Sequence, residues 1–134
     1  MASKPETLIV RAIIDYVKEQ VGGDIHHVHG STLQRGGEPD LDGAVSDGVG
    51  GYAHIKIEVK TAIGQVEARQ IYRLKEYRRY GDLVGIGHSL TEIAALIQEY
   101  QDWTSRQMYA AYKRLPQERT FIPTATRYPG LYDE

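Results

Sequence analysis

Three side chains in this sequence have the types and spacing of a hydrolytic metal site: Asp40, Glu58 and Lys60. Asp40 closes the run Gly37-Glu38-Pro39-Asp40, and Glu58 and Lys60 flank Val59 in Ile57-Glu58-Val59-Lys60. Pro39 forces extended geometry on Glu38 and cannot donate to a sheet ladder, so it suits a strand start and places Asp40 at the strand's opening. Glu58 and Lys60, two apart on a strand, share one face. Seventeen residues lie between Asp40 and Glu58, enough for two strands joined by a turn; in an antiparallel hairpin the carboxylates could lie side by side. Two adjacent carboxylates repel unless a cation joins them, and magnesium and manganese favour such oxygen ligands. A metal held this way can activate water and stabilise the charge building on a phosphodiester. The lysine would hold or deprotonate the attacking water, or pair with a phosphate oxygen, and its ammonium eases the repulsion between the acids. As a bare pattern, Pro-Asp followed by Glu-x-Lys arises often by chance, so its weight depends on what surrounds it.

The elements that must position these groups are legible from periodicity. Leu8, Ile9, Ala12, Ile13, Tyr16 and Val17 recur at helical spacing and predict a helix from Ser3 to about Gln20, with Ser3 and Glu6 as a capping box and Gly22-Gly23 as its stop. A strand from Ile25 to about Leu33 follows, then the break at Gly36-Gly37 and a short strand from Asp40 to Val45. Asp47-Gly48-Val49-Gly50-Gly51 is a strong turn signal, and Tyr52 to Lys60 is the clearest strand. There Ile55, Ile57 and Val59 point one way while Lys56, Glu58 and Lys60 point the other. Gly64 separates this strand from a helix over about Gln65 to Tyr80, with Ile71, Leu74 and Tyr77 as its packing stripe. After Gly81, Leu83 to Gly87 reads as a buried strand, and Ser89 or Thr91 caps a third helix through Ile93, Leu96 and Ile97. The order helix, three strands, helix, strand, helix predicts an α/β domain with a mixed sheet. Residues 1–100 form the predicted domain. Residues 101–134 form a C-terminal extension, with a further helical stretch marked by Trp103, Tyr109 and Tyr112 and ending near Pro116, then an aperiodic tail.

Composition bounds the chemistry. A length of 134 residues fits one core. The absence of cysteine excludes disulfides, thiolate zinc sites and cysteine nucleophiles. No apolar run approaches the roughly 20 residues of a membrane helix, and the first residues lack the apolar core of a secretory signal, so no membrane partner is expected and a cytoplasmic location is the default. The formal net charge of −2 does not advertise a nucleic-acid binder. Its distribution is more informative: Arg69, Arg73, Lys75, Arg78 and Arg79 gather between residues 69 and 79, against Glu76 alone.

The ordered set Gly37-Glu38-Pro39-Asp40-Leu41, Ile57-Glu58-Val59-Lys60-Thr61, Gly64 and Gln70 resembles the VRR-NUC family of PD-(D/E)XK nucleases, and its small stand-alone, phage-type members in particular. In that family a helix bearing Gln follows the Glu-x-Lys strand, then a glycine and a short apolar strand; here Gln70, Gly81 and Leu83 to Ile86 stand in those places. Glu6 matches a Glu near the start of the family's first helix. The resemblance spans roughly residues 5 to 97 and implies a restriction-endonuclease-like core, a mixed central β-sheet flanked by helices. It further implies magnesium- or manganese-dependent, structure-selective cleavage of branched or flapped DNA, in some members by homodimers, with no small-molecule cofactor and, for a phage protein, in the host cytoplasm. Asp40 and Glu58 would bind the cation, Lys60 would activate or orient water, Gln70 would position the nucleophile, and Glu6 would assist.

Each of these residues has a plainer explanation. Asp40 could be a turn residue after proline, Glu58 and Lys60 a solvated strand face, Gln70 a core amide, and Glu6 the cap partner of Ser3. Asp42 shares the face of Asp40 and is a lesser candidate ligand; Glu38 and Asp47 read as loop acids. His26, His27 and His29 fit an exposed strand better than a zinc site. Arg69 and Arg73 are candidates for phosphate contacts, since their helix directly follows the active strand. The rival functional readings are a non-cleaving DNA-binding domain and a dimerisation module on a nuclease-like fold.

Overall fold

The apolar spacing of the N-terminal segment folds as its periodicity requires: helix α1 spans Lys4–Tyr16 and, with Val17, buries Val10 and Ile13 on one stripe. It runs into a π-helical turn, Val17–Val21, and stops at Gly22, whose φ of 99° suits glycine and whose N–H donates to the Val17 carbonyl at 2.8 Å. A computed structural model describes residues 4–28, 36–61, 65–124 and 126–133. The proposed cap at Ser3, together with His29 and Gly64, lies outside those residues.

Four strands follow in one sheet of order β1-β2-β3-β4: β1 Gly23–His27, β2 Leu41–Ser46, β3 Tyr52–Val59 and β4 Leu83–Gly87. The first three pair antiparallel, and β4 joins β3 in parallel after the crossover helix α2, Ala68–Arg79. The sheet is mixed and helices cover both faces, as expected for the predicted class. On one face Ile25, Leu41, Val45, Ile55, Ile57 and Val59 pack under α1 and under α3, Leu90–Tyr112. On the other, Val84 and Ile86 meet Leu74 of α2 and the tail residues Leu131 and Tyr132. The alternation in Leu-Val-Gly-Ile-Gly serves both faces. A Cβ at Gly85 would meet Leu96 Cδ2 at 2.4 Å, so a side chain there would force the Leu96 side chain of α3 to move.

The element boundaries depart from periodicity where capping and tertiary bonds decide them. β1 begins at Gly23, two residues before the expected start. α2 begins at Ala68 rather than Gln65, because Glu67 is its N-cap and forms a capping box with Gln70. Ser89 caps α3, accepting from the Glu92 N–H at 3.2 Å. The two helical stretches expected on either side of residue 101 are one continuous helix, and its sequence holds no glycine or proline to interrupt it. Its second half is fastened to the β2–β3 turn, where Gln101 Nε2 donates to the Ser46 carbonyl at 2.8 Å and the Thr104 hydroxyl to the Asp47 carbonyl at 2.5 Å. The aperiodic tail returns to the sheet edge, and the Tyr132 hydroxyl donates to the Val84 carbonyl at 2.5 Å. Among the described residues no helix is long and apolar enough to cross a membrane.

Candidate active site

The register of the first hairpin brings the two acids together. Leu41 pairs with Ile57, so the residue before β2 stands beside Glu58. Asp40 is held there at both ends: its Oδ2 accepts the Val59 N–H at 2.8 Å, and its carbonyl accepts the Val28 N–H at 2.7 Å. Lys60 lies one residue past β3, its own N–H continuing the ladder to the Gly87 carbonyl at 3.0 Å. Its Nζ is 3.3 Å from Glu58 Oε2, and Gln70 Nε2 donates to the same oxygen at 2.5 Å. Gln70 also accepts the Glu67 N–H through Oε1 at 2.8 Å, so one amide caps α2 and anchors Glu58. Four of the five catalytic candidates read from the sequence, Asp40, Glu58, Lys60 and Gln70, therefore meet at one end of the sheet, on the face beneath α2.

Glu58 is not on a solvated face. It is 2% exposed, and its Oε1 is buried without a donor among the described residues. Burial first, and the neighbouring Asp40 second, push its pKa up to about 8, with Lys60 pulling the other way and losing. A buried acceptor with no donor is costly, and two carboxylates in contact need a proton or a cation between them. The donor set fits a hard divalent cation on this ground: two carboxylates, one with a vacant buried oxygen, and a single ammonium too weak to balance them. Among the described residues there is no group of three or more histidines, cysteines or acids that would hold a metal without waters, and the histidine-based zinc reading gains nothing from His26, which is exposed.

The loop presenting Asp40 is held by the same helix that anchors Glu58. Arg73 Nε donates to the Gly36 carbonyl at 3.3 Å, and the Tyr77 hydroxyl donates to Glu38 Oε2 at 2.5 Å. Gly37, at φ 86°, lies so close to α2 that a Cβ would meet the Arg69 carbonyl oxygen at 2.7 Å. Residues 69, 73 and 77 form one stripe of α2 at helical spacing; Arg73 and Tyr77 hold the loop through their side chains, and the backbone of residue 69 lies against it. Tyr77 reads in the sequence as a packing residue and Glu38 as a loop acid; both are clamps. The signal that would have found them is a polar partner for the tyrosine hydroxyl, which spacing within the helix cannot supply.

The remaining candidates fall elsewhere. Asp42 does not join the acid pair, because it faces Lys56 across the strands, with Nζ–Oδ1 2.5 Å, and His54 Nε2 at 3.3 Å. Arg73 is engaged by Gly36 and by Glu76 at 3.3 Å, whereas the exposed Arg69 pairs with Glu67 at 2.9 Å. Glu6 is half-buried in the first turn of α1, and the charges that act on Glu58 are those of Asp40 and Lys60.

No family model matches the chain. No curated protein matches it either. Its fold is similar to that of a solved structure described as a VRR_NUC domain protein, with 17% identity, a TM-score of 0.55, and coverage of 75% of this chain and 90% of that one. The likeness is one of fold.

Proposed function

We propose that the protein is a magnesium- or manganese-dependent deoxyribonuclease, an endonuclease acting on branched or flapped DNA, with its centre at Asp40, Glu58, Lys60 and Gln70. One observation carries the reading: two carboxylates, one just before β2 and one within β3, converge, the latter buried with an unpartnered oxygen and with an amine and an amide on it. The likeness of fold to a VRR_NUC domain protein supports it from a second direction. Asp40 and Glu58 are the residues that would hold the cation, which when bound supplies a Lewis acid for the phosphodiester and lowers the pKa of water.

The chain's own groups do the rest. Gln70 fixes Glu58 through its Oε2 and leaves Oε1 without a donor among the described residues. Lys60 presents its ammonium 3.3 Å from that carboxylate, where it can orient a water or meet a phosphate oxygen. Glu6 is given an auxiliary role. Arg69, exposed beside the loop, is the better placed of the two arginines for a phosphate contact, since Arg73 is occupied in holding Gly36. A homodimer on branched DNA is part of the reading, with the exposed Met108, Tyr109 and Tyr112 of α3 as the contact face. A cytoplasmic location, in the host if the gene is a phage's, completes it.

The test uses single-stranded, duplex, flapped and four-way DNA with magnesium, manganese or chelator, beside Lys60→Ala. Cleavage that needs the metal and vanishes in the variant, whose thermal melt is unchanged, supports the reading. DNA binding with no cleavage under any condition leaves a non-cleaving binding domain instead.

A further inference from the structure

A cavity of about 670 Å³ opens between the C-terminal end of α2, the start of β4, the middle of α3 and the tail. It is separate from the acid pair: it reaches Leu83 and Val84, whereas Glu58 lies beside Ile86 further along β4. Its volume is that of a small-molecule pocket.

Its lining is predominantly cationic. Lys75 and Arg79 stand one turn apart on α2, Arg119 comes from the tail, and none of the three has an acidic partner among the described residues. Arg78 is already used, donating to the Phe121 carbonyl at 3.3 Å and lying 5.3 Å from the Tyr132 ring centre. The two acids in the lining are also engaged, Asp82 by His54 Nδ1 at 3.7 Å and Asp133 by Arg127 at 3.3 Å. In a chain of net charge −2, three unpaired cations around one cavity form an anion site.

The facing wall is aromatic. Tyr100 and Trp103 stack at 5.9 Å, and Phe121 closes on them at 5.4 Å and 5.7 Å. The Trp103 indole N–H is buried with no acceptor among the described residues, a donor without an explanation in the fold alone. Cations suit a phosphate, and an aromatic wall suits a flat heterocycle, since bases stack on such rings whatever their sequence.

We propose that this cavity binds one nucleotide unit, its phosphate on Lys75, Arg79 and Arg119 and its base against the wall of Trp103 and Phe121. The unit is a free nucleotide or the phosphorylated end of a DNA strand, which share this chemistry. Trp103 is the chain's one tryptophan, so its fluorescence reports the cavity directly. The full chain is titrated, in chelator, with 5′-dAMP, deoxyadenosine, inorganic phosphate, and hexathymidylate with and without a 5′-phosphate. Saturable quenching by 5′-dAMP or by the phosphorylated oligomer, competed by inorganic phosphate and about tenfold weaker for deoxyadenosine or the unphosphorylated oligomer, supports the site. Quenching by the oligomer alone, without 5′-dAMP, names a strand end as the source. The Arg79→Gln/Arg119→Gln variant, both positions exposed, should lose roughly a hundredfold in affinity, with recovery in Arg79→Lys/Arg119→Lys. Lys60→Ala should bind as the parent does, which keeps this test apart from the cleavage reading. No saturable change with any probe, or a change the Gln variant leaves untouched, overturns the proposal.

Discussion

The face of β3 beneath α2 carries buried charge at two places, and the two are balanced differently. At one, Lys56 is 8% exposed and meets Asp42 at 2.5 Å; Asp42 also meets His54 at 3.3 Å, and His54 reaches Asp82 at 3.7 Å. The Lys56 ammonium lies 4.8 Å from the centre of the Tyr77 ring. At the other, two residues along, the neighbouring acids Asp40 and Glu58 have one ammonium, that of Lys60, 3.3 Å from Glu58 Oε2, and a buried oxygen of Glu58 is left without a donor among the described residues. At the first place each acid meets a base; at the second a buried carboxylate oxygen meets no donor among the described residues. A buried network that satisfies itself specifies the fold; a buried acceptor left without a donor is a group that a ligand would satisfy. Buried charge alone marks neither as a candidate site. The unpartnered oxygen does.

The sharpest way to break this comparison is Glu58→Gln, which should move activity and stability in opposite directions. Loss of the carboxylate should lower metal-dependent DNA cleavage by at least about a hundredfold, the scale of losing a group positioned at the reacting atoms. The same change removes a buried anion and should raise the stability of the metal-free protein at pH 8 by roughly 1–3 kcal/mol. Cleavage rates with magnesium and urea unfolding in chelator measure the pair. A variant that loses stability as well as activity would make this end a structural network like the other.

A second test follows the proton. The folded pKa of Glu58 lies at about 8 against 4.5 for the free side chain, so the folded state binds the extra proton between those values. The contribution of Glu58 is fully present below pH 4.5 and is lost as pH rises through about 8. At about 1.4 kcal/mol per unit, metal-free stability should fall by several kcal/mol over that interval. The parent should show this slope in chelator and Glu58→Gln should not. Saturating magnesium should flatten it, with about one proton released per cation bound near neutral pH, read by calorimetry in buffers of different ionisation enthalpy. A slope that magnesium leaves unaltered would deny the acid pair its cation.

The balanced end makes the opposite prediction. Lys56→Met keeps the bulk of the side chain and leaves Asp42 with only the exposed His54, costing about 1–3 kcal/mol in urea unfolding; the part exposure of Asp42 holds the loss below that of a fully buried pair. Magnesium affinity should change by less than about threefold, since the two places share no ligand. A larger change would mean that the network at Lys56 belongs to the cation site.

How much of this the sequence discloses depends on the range of the forces involved. The alternation of Ile55, Ile57 and Val59 against Lys56, Glu58 and Lys60 names the strand and both its faces, because period-two patterning is local. Pro39 and the turn at residues 47–51 set the hairpin that pairs Asp40 with Glu58, so the acid pair is also readable. The partner of each remaining charge is not. Asp42 shares the strand face of Asp40 by parity, yet its cross-strand neighbour is Lys56, and only the register decides that. Arg73 and Tyr77 follow helical spacing, but their partners Gly36 and Glu38 are 37 and 39 residues away in sequence. The unbroken α3 and the buried Tyr132 are likewise tertiary results, resting on bonds to Ser46, Asp47 and Val84.

Tyr77 joins the two places, and it gives the smallest and most discriminating effect. Its ring faces Lys56, while its hydroxyl holds Glu38 at 2.5 Å, two residues before Asp40. Tyr77→Phe keeps the ring and removes only the tie to the loop, so global stability should fall by about 1 kcal/mol, the net worth of one such bond. If that tie positions Asp40, magnesium affinity should fall several-fold, while the unfolding behaviour of Lys56→Met in the same background stays additive. Tyr77→Leu removes the ring as well and should lose additivity with Lys56→Met. Equal effects of the Phe and Leu changes on magnesium binding would confine the coupling to the hydroxyl. No effect of either would leave Asp40 held by its own bonds to Val59 and Val28, and the two ends of the face independent.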